Sequence, residues 1–156
     1  MLYRLLANPE YIEPLRQEVD AVVTEEGWTK VGMDRMYRVD SFIRETQRVD
    51  GFFLRSLDYY LKVRDADFPL FPVSMTRLAL RPFTFSNGVT IPAGTYISIP
   101  ASATNKDERI YPNPDEFDGF RFAKLREGES DTISSRYQSV SPSSEHLPFG
   151  LGRHAW

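Results

Sequence analysis

An α+β fold, mainly α, is what the sequence predicts. Up to about residue 50 the apolar side chains recur at helical spacing. From Ser74 to Ile99 the period becomes that of strands, interrupted by an Asn-Gly turn. The remainder, from Tyr111 on, is rich in turn formers, so helices make up most of the regular structure.

Met1 to Leu6 is apolar but short, too short for a secretory core, and leads straight into a helix signal. Asn8-Pro9-Glu10 predicts a helix start, with Asn as cap, Pro in the first turn and Glu at the positive end of the dipole. Ile12, Leu15, Val19 and Val22 form its apolar stripe, and Gly27 closes it. That stripe needs a partner surface. A second helix is expected from about Met33 to Val49, with Met36, Val39, Ile43 and Thr46 buried and Phe42 flanking. Within it Glu45 and Arg48 stand three apart and can meet as an ion pair, which taken alone reads as a surface pair.

Residues 50–72 hold a dense apolar cluster without good caps; a helix over 53–64 fits, and a strand period fits as weakly. Next comes the hairpin Phe83-Thr84-Phe85, Ser86-Asn87-Gly88, Val89-Thr90-Ile91, then a Pro92-Ala93-Gly94 turn and a strand Thr95–Ile99, together a small antiparallel sheet. Ser102 to Arg109 is expected to form one short helix. Tyr111 to Phe122 is turn-rich with aromatics that must pack, and 124–146, with seven serines, reads as an irregular loop.

Nineteen Lys and Arg against twenty-two Asp and Glu argue against a nucleic-acid partner. No apolar run approaches the ~18 residues of a membrane span. Cysteine is absent, which excludes disulfides, thiol catalysis and thiolate metal sites, and the two histidines, His146 and His154, do not make a dedicated metal site. The closing run Phe149-Gly150-Leu151-Gly152-Arg153-His154-Ala155-Trp156 describes a tight loop. Taken alone it is more often a Gly-rich surface turn than a loop for a flat or anionic ligand, which it also suits.

Four motifs follow one another: Glu45-Thr46-Gln47-Arg48, Ile91-Pro92-Ala93-Gly94-Thr95 after the hairpin, Tyr111-Pro112-Asn113-Pro114 through Phe120-Arg121-Phe122, and Phe149 to Ala155. In that order the chain resembles the C-terminal part of a cytochrome P-450, a haem-thiolate monooxygenase, and is most similar to fungal members. The resemblance covers nearly the whole chain except roughly 50–72, and implies that the helices packing on the Ile12, Leu15, Val19 and Val22 stripe are missing, which would leave it unpartnered and the chain poorly soluble. It implies J- and K-type helices, a hairpin sheet, a meander and a haem-binding loop. It also implies haem as cofactor, an electron-donating reductase as partner, an apolar small-molecule substrate and, for the whole protein, an endoplasmic reticulum membrane. By resemblance Glu45, Arg48 and Arg121 would form a buried Glu-Arg-Arg network that is structural rather than catalytic. Phe149, Gly150, Gly152, Arg153 and His154 would cradle the porphyrin. Arg77, with Arg81 second, would meet a haem propionate.

The resemblance breaks at its most consequential position. Trp156 stands where the family's F-G-x-G-R-H-x-C motif has the cysteine that ligates iron. A neutral indole N–H donates and does not coordinate, and the thiolate is what favours O–O cleavage in the family. His154 or His146 would lack that push. The expectation is therefore a haem monooxygenase relative that is inactive as written. The alternatives are a non-catalytic remnant that binds no haem and an independent α+β domain with an unrelated binding role. Residues 50–72 read as an insertion or unspliced segment, and the Trp ending as a frame or splice change.

Overall fold

A computed structural model describes residues 1–51, 74–127, 134–148 and 150–152. The expected helix over 53–64, nearly all of the suspected insertion, Phe149, Arg153, His154 and Trp156 lie outside those residues.

A short helix, α1 (Leu2–Ala7), precedes the expected start. Asn8 does not cap with its side chain. Its Nδ2 donates back to the Arg4 carbonyl at 2.7 Å, and a 3-10 turn, Pro9–Tyr11, leads into α2 (Ile12–Glu26). Gly27 ends α2 at φ 68°, donating its N–H to Val23 O at 3.0 Å. The stripe expected to be unpartnered is partly covered, since Leu15 and Val22 are buried. Exposed large apolar residues in this half include Leu2, Tyr3, Leu6, Trp28 and Val31.

The single helix expected over 33–49 is two helices, α3 (Lys30–Arg35) and α4 (Tyr37–Asp50), broken at Met36. Thr29 Oγ1 accepts the Gly32 N–H at 3.0 Å and starts α3. The start of α4 is satisfied from another helix. Glu18 of α2 accepts the N–H of Arg38 at 2.8 Å and of Val39 at 2.9 Å, placing a carboxylate at the positive end of the dipole.

On α4, Ser41, Phe42, Arg44, Glu45, Thr46 and Arg48 are buried, while Val39 and Ile43 are only half-buried. Of the expected stripe Met36 and Thr46 are buried, and the other buried positions of α4 are Phe42 and four polar residues, Ser41, Arg44, Glu45 and Arg48.

The β segment forms two small antiparallel sheets rather than one. β1 (Ser74–Leu78) pairs with β4 (Tyr96–Ile99), with an irregularity between Ser74 and Arg77 where Met75 takes φ 55°. β2 (Phe83–Thr84) pairs with β3 (Thr90–Ile91) across the Asn87-Gly88 turn, where Gly88 supplies φ 87°.

Helix α5 (Ala101–Asn105) is shorter than the expected 102–109, because Asp107 Oδ1 takes the Arg109 N–H at 2.9 Å and turns the chain. A helix absent from the sequence reading, α6 (Arg121–Arg126), spans the end of the turn-rich stretch and the start of the expected irregular loop. Ser41 Oγ on α4 accepts the N–H groups of Phe122 and Ala123, both at 3.0 Å, so the start of α6 is again satisfied from a distant element. A 3-10 turn, Ser135–Tyr137, follows.

The expected aromatic packing occurs. Tyr11, Phe42, Phe117 and Phe120 meet edge to face, with centroids 5.5 Å apart for Tyr11–Phe42, 5.4 Å for Phe42–Phe117 and 4.9 Å for Tyr11–Phe120. Gly119 runs beneath them. A Cβ there would meet Phe42 Cδ2 at 2.7 Å and Tyr11 Cε1 at 2.9 Å. Among the described residues no helix is long and apolar enough to cross a membrane. Gly119→Ala is expected to destabilise the chain by about 1–3 kcal/mol in urea unfolding through overpacking; an unchanged midpoint would contradict this packing.

Candidate functional site

Helix α4 carries the site, and Glu45 is its centre. The side chain is fully buried. Oε1 accepts from Arg48 Nη2 at 2.7 Å, the Asp118 N–H at 3.1 Å and Arg121 Nε at 3.2 Å, while Oε2 accepts from Arg48 Nε at 2.8 Å. The structure therefore brings Glu45, Arg48 and Arg121 together. The surface-pair reading of Glu45 and Arg48 is corrected by burial, since their side chains are 0% and 1% exposed.

The surplus guanidinium donors go to backbone carbonyls. Arg48 Nη1 donates to Asn105 O at 2.7 Å and Pro114 O at 2.6 Å, and Nη2 to Glu116 O at 3.2 Å. Arg121 Nη1 donates to Pro112 O at 2.6 Å and Nη2 to Glu116 O at 3.0 Å. The segment 105–118, which leaves α5 at Asn105 and has no helix or strand beyond it, is thereby held by charge-assisted bonds that stand in for a ladder. Each oxygen of Glu45 is engaged by donors of this chain.

A second polar group on α4 escaped the sequence reading. The Arg44 guanidinium is buried, and Nη1 donates to Arg136 O at 2.9 Å and Gln138 O at 2.7 Å. Burial lowers its pKa below the ordinary arginine value, against the smaller opposing influence of Tyr111 and Asp40. Asp40 accepts from Arg126 Nη1 at 2.9 Å and from the Ser139 N–H at 3.0 Å. One signal could have found this group. Ser41, Arg44, Glu45 and Arg48 follow i, i+3, i+4, i+7 spacing, so they share one helix face.

His146, considered only as an adventitious iron ligand, is 2% exposed, with Nε2 3.2 Å from Ser139 O. Burial first, and Arg44 second, push its pKa down to about 4. Arg77 lies exposed on β1, with Nη1 donating to its neighbour Thr76 O at 3.0 Å, and Arg81 is exposed between β1 and β2. Gly150 is buried at φ 87°, and Gly152 is exposed at φ 75° with nothing within 4 Å of a built Cβ. Among the described residues no cluster of His, Cys, Asp or Glu could hold a metal ion.

With this geometry stands a sequence relationship. A profile of the family described as Cytochrome P450 matches residues 68–155, more than half of the chain. The chain is 41% identical over 154 residues to cytochrome P450 monooxygenase 151 of Postia placenta, covering 99% of this chain and 27% of that protein. It is 41% identical over 154 residues to cytochrome P450 monooxygenase janQ of Penicillium janthinellum (98% and 27%). It is 35% identical over 157 residues to an ent-kaurene oxidase of Gibberella intermedia (99% and 26%). The chain belongs to the cytochrome P450 family, and it spans about a quarter of the length of the curated relatives it matches.

The depressed pKa of His146 has a signed consequence. The unfolded chain binds the proton near the ordinary value of 6.5 and the folded chain only near 4, so stability rises with pH across that window and is lost as pH falls through it. The loss is on the order of 3 kcal/mol between the two values. His146→Gln is expected to flatten that part of the unfolding profile measured from pH 7 to 4; an unaltered slope would contradict the burial of a neutral imidazole.

Proposed function

We propose that this chain is the proximal-side portion of a fungal-type, haem-dependent monooxygenase, with α2 and α4 as the J- and K-type helices. The parent activity is oxidation of an apolar organic substrate with dioxygen, using electrons from a reductase. The observation that carries the reading is the buried contact of Glu45 with both Arg48 and Arg121, in a chain whose family match runs to residue 155. In this reading the three side chains hold the 105–118 segment and do no chemistry. Phe149, Gly150, Gly152, Arg153 and His154 form the haem loop, and Arg77 reaches a propionate.

The donor set does not fit a thiolate-ligated haem. The sequence contains no cysteine, and Trp156 occupies the ligand position of the motif. The His146 ring is enclosed and faces a carbonyl. No oxygen-activating step is derived from these residues, and the chain as written is not itself a monooxygenase. The absence of cysteine also supports a second reading, a non-catalytic remnant that takes up no haem. Residues 1–156 form one partial domain, with 50–72 an insertion or unspliced segment; transcript reads that skip part of that stretch would support the latter.

Expressed with haem supplied, reduced and exposed to carbon monoxide, the chain is expected to show no Soret band of the thiolate-ligated kind. Such a band would overturn the reading that it is inactive. Complete failure to take up haem would select the remnant.

A further inference from the structure

The segment 134–148 is fastened to α4 by groups separate from the Glu45 cluster. Arg44 donates to the carbonyls of Arg136 and Gln138, and its guanidinium lies over the rings of Phe122 at 4.6 Å and Tyr137 at 5.9 Å. Asp40 takes the Ser139 N–H and Arg126 Nη1, and Arg126 Nε donates to Ser134 Oγ at 2.9 Å. His146 closes the segment on itself through Ser139 O.

Arg44 differs from Arg48 in one respect. No carboxylate among the described residues lies within ion-pair distance of it, and its Nε finds no acceptor among them. A buried cation ordinarily requires a carboxylate to offset desolvation. Here two carbonyl dipoles and two ring faces do that work, and of these both carbonyls and one ring belong to the 134–148 segment. The charge is therefore satisfied only while the segment is seated, and the segment's backbone is directed by the charge.

We propose that Arg44, with Asp40, is the positioning pair for residues 134–148. This strap leads to the Gly150–Gly152 turn and opens from α4 as one unit, separately from the 105–118 segment held by Glu45 and Arg48, to which the Tyr111 hydroxyl joins it by a bond to Glu145 O at 3.0 Å. The inference stands whether or not the chain takes up haem, because every contact in it is within the polypeptide.

Amide hydrogen exchange on the full chain tests it. In Arg44→Met, protection at Ser139, Ser141 and His146 is expected to fall about tenfold or more, while Asp118 and Arg121 stay within about twofold of the parent. Arg44→Lys, which keeps the charge and can still reach a carbonyl, is expected to recover most of that protection. Equal loss at both sets of amides would overturn the proposal, as would unchanged protection in the strap or no recovery with lysine. Should Arg44→Met fail to fold, Tyr137→Leu removes a ring from the strap side and is judged by the same comparison of the two sets.

Discussion

A single buried carboxylate governs the described structure. Glu45 is shut away from water and would carry a desolvation penalty of several kcal/mol if left alone. It is stable in place because Arg48 from its own helix and Arg121 from more than seventy residues downstream converge on it. One negative charge then faces two positive ones, and the surplus donors of both arginines need acceptors of their own. They find them in the carbonyls of Asn105, Pro112, Pro114 and Glu116. The 105–118 segment is held in place by that demand, beside its own turns at Asp107 and Asn113.

The same logic extends along α4. An ordinary amphipathic helix buries apolar residues and leaves its polar ones wet. Here Phe42 supplies an aromatic anchor, while Asp40, Ser41, Arg44, Glu45 and Arg48 each engage a backbone group or side chain of the downstream chain. The polar groups give direction to segments that apolar contact alone would leave free to slide.

How much of this was legible depends on how far apart the partners lie in sequence. The Asn87-Gly88 hairpin, the Gly27 terminus of α2 and the aromatic packing around Phe117 and Phe120 rest on local chemistry and were readable. The break at Met36 and the existence of α6 were not. Glu18 satisfies the start of α4 from twenty residues away, and Ser41 that of α6 from eighty-one. Helix starts capped by distant side chains leave no local signature, because the residue at the cap position itself is an ordinary Met or Phe. The buried face of α4 was misread for a different reason. Its polar members stand at one-face spacing, but charged residues at that spacing normally mark the wet side. Resemblance to a family recovered Glu45, Arg48 and Arg121, and gave no hint of Asp40, Ser41 or Arg44.

Glu45 and Arg48 form one buried unit rather than two independent contributors. A double-mutant cycle with Glu45→Gln, Arg48→Met and the pair, followed by urea unfolding, measures this directly. Each single change is expected to be severe, about 3–5 kcal/mol, because it strands the other charge. The double variant is expected to fall short of their sum by about 2 kcal/mol or more. Additivity within about 0.5 kcal/mol would show that the two side chains act separately and would contradict the account.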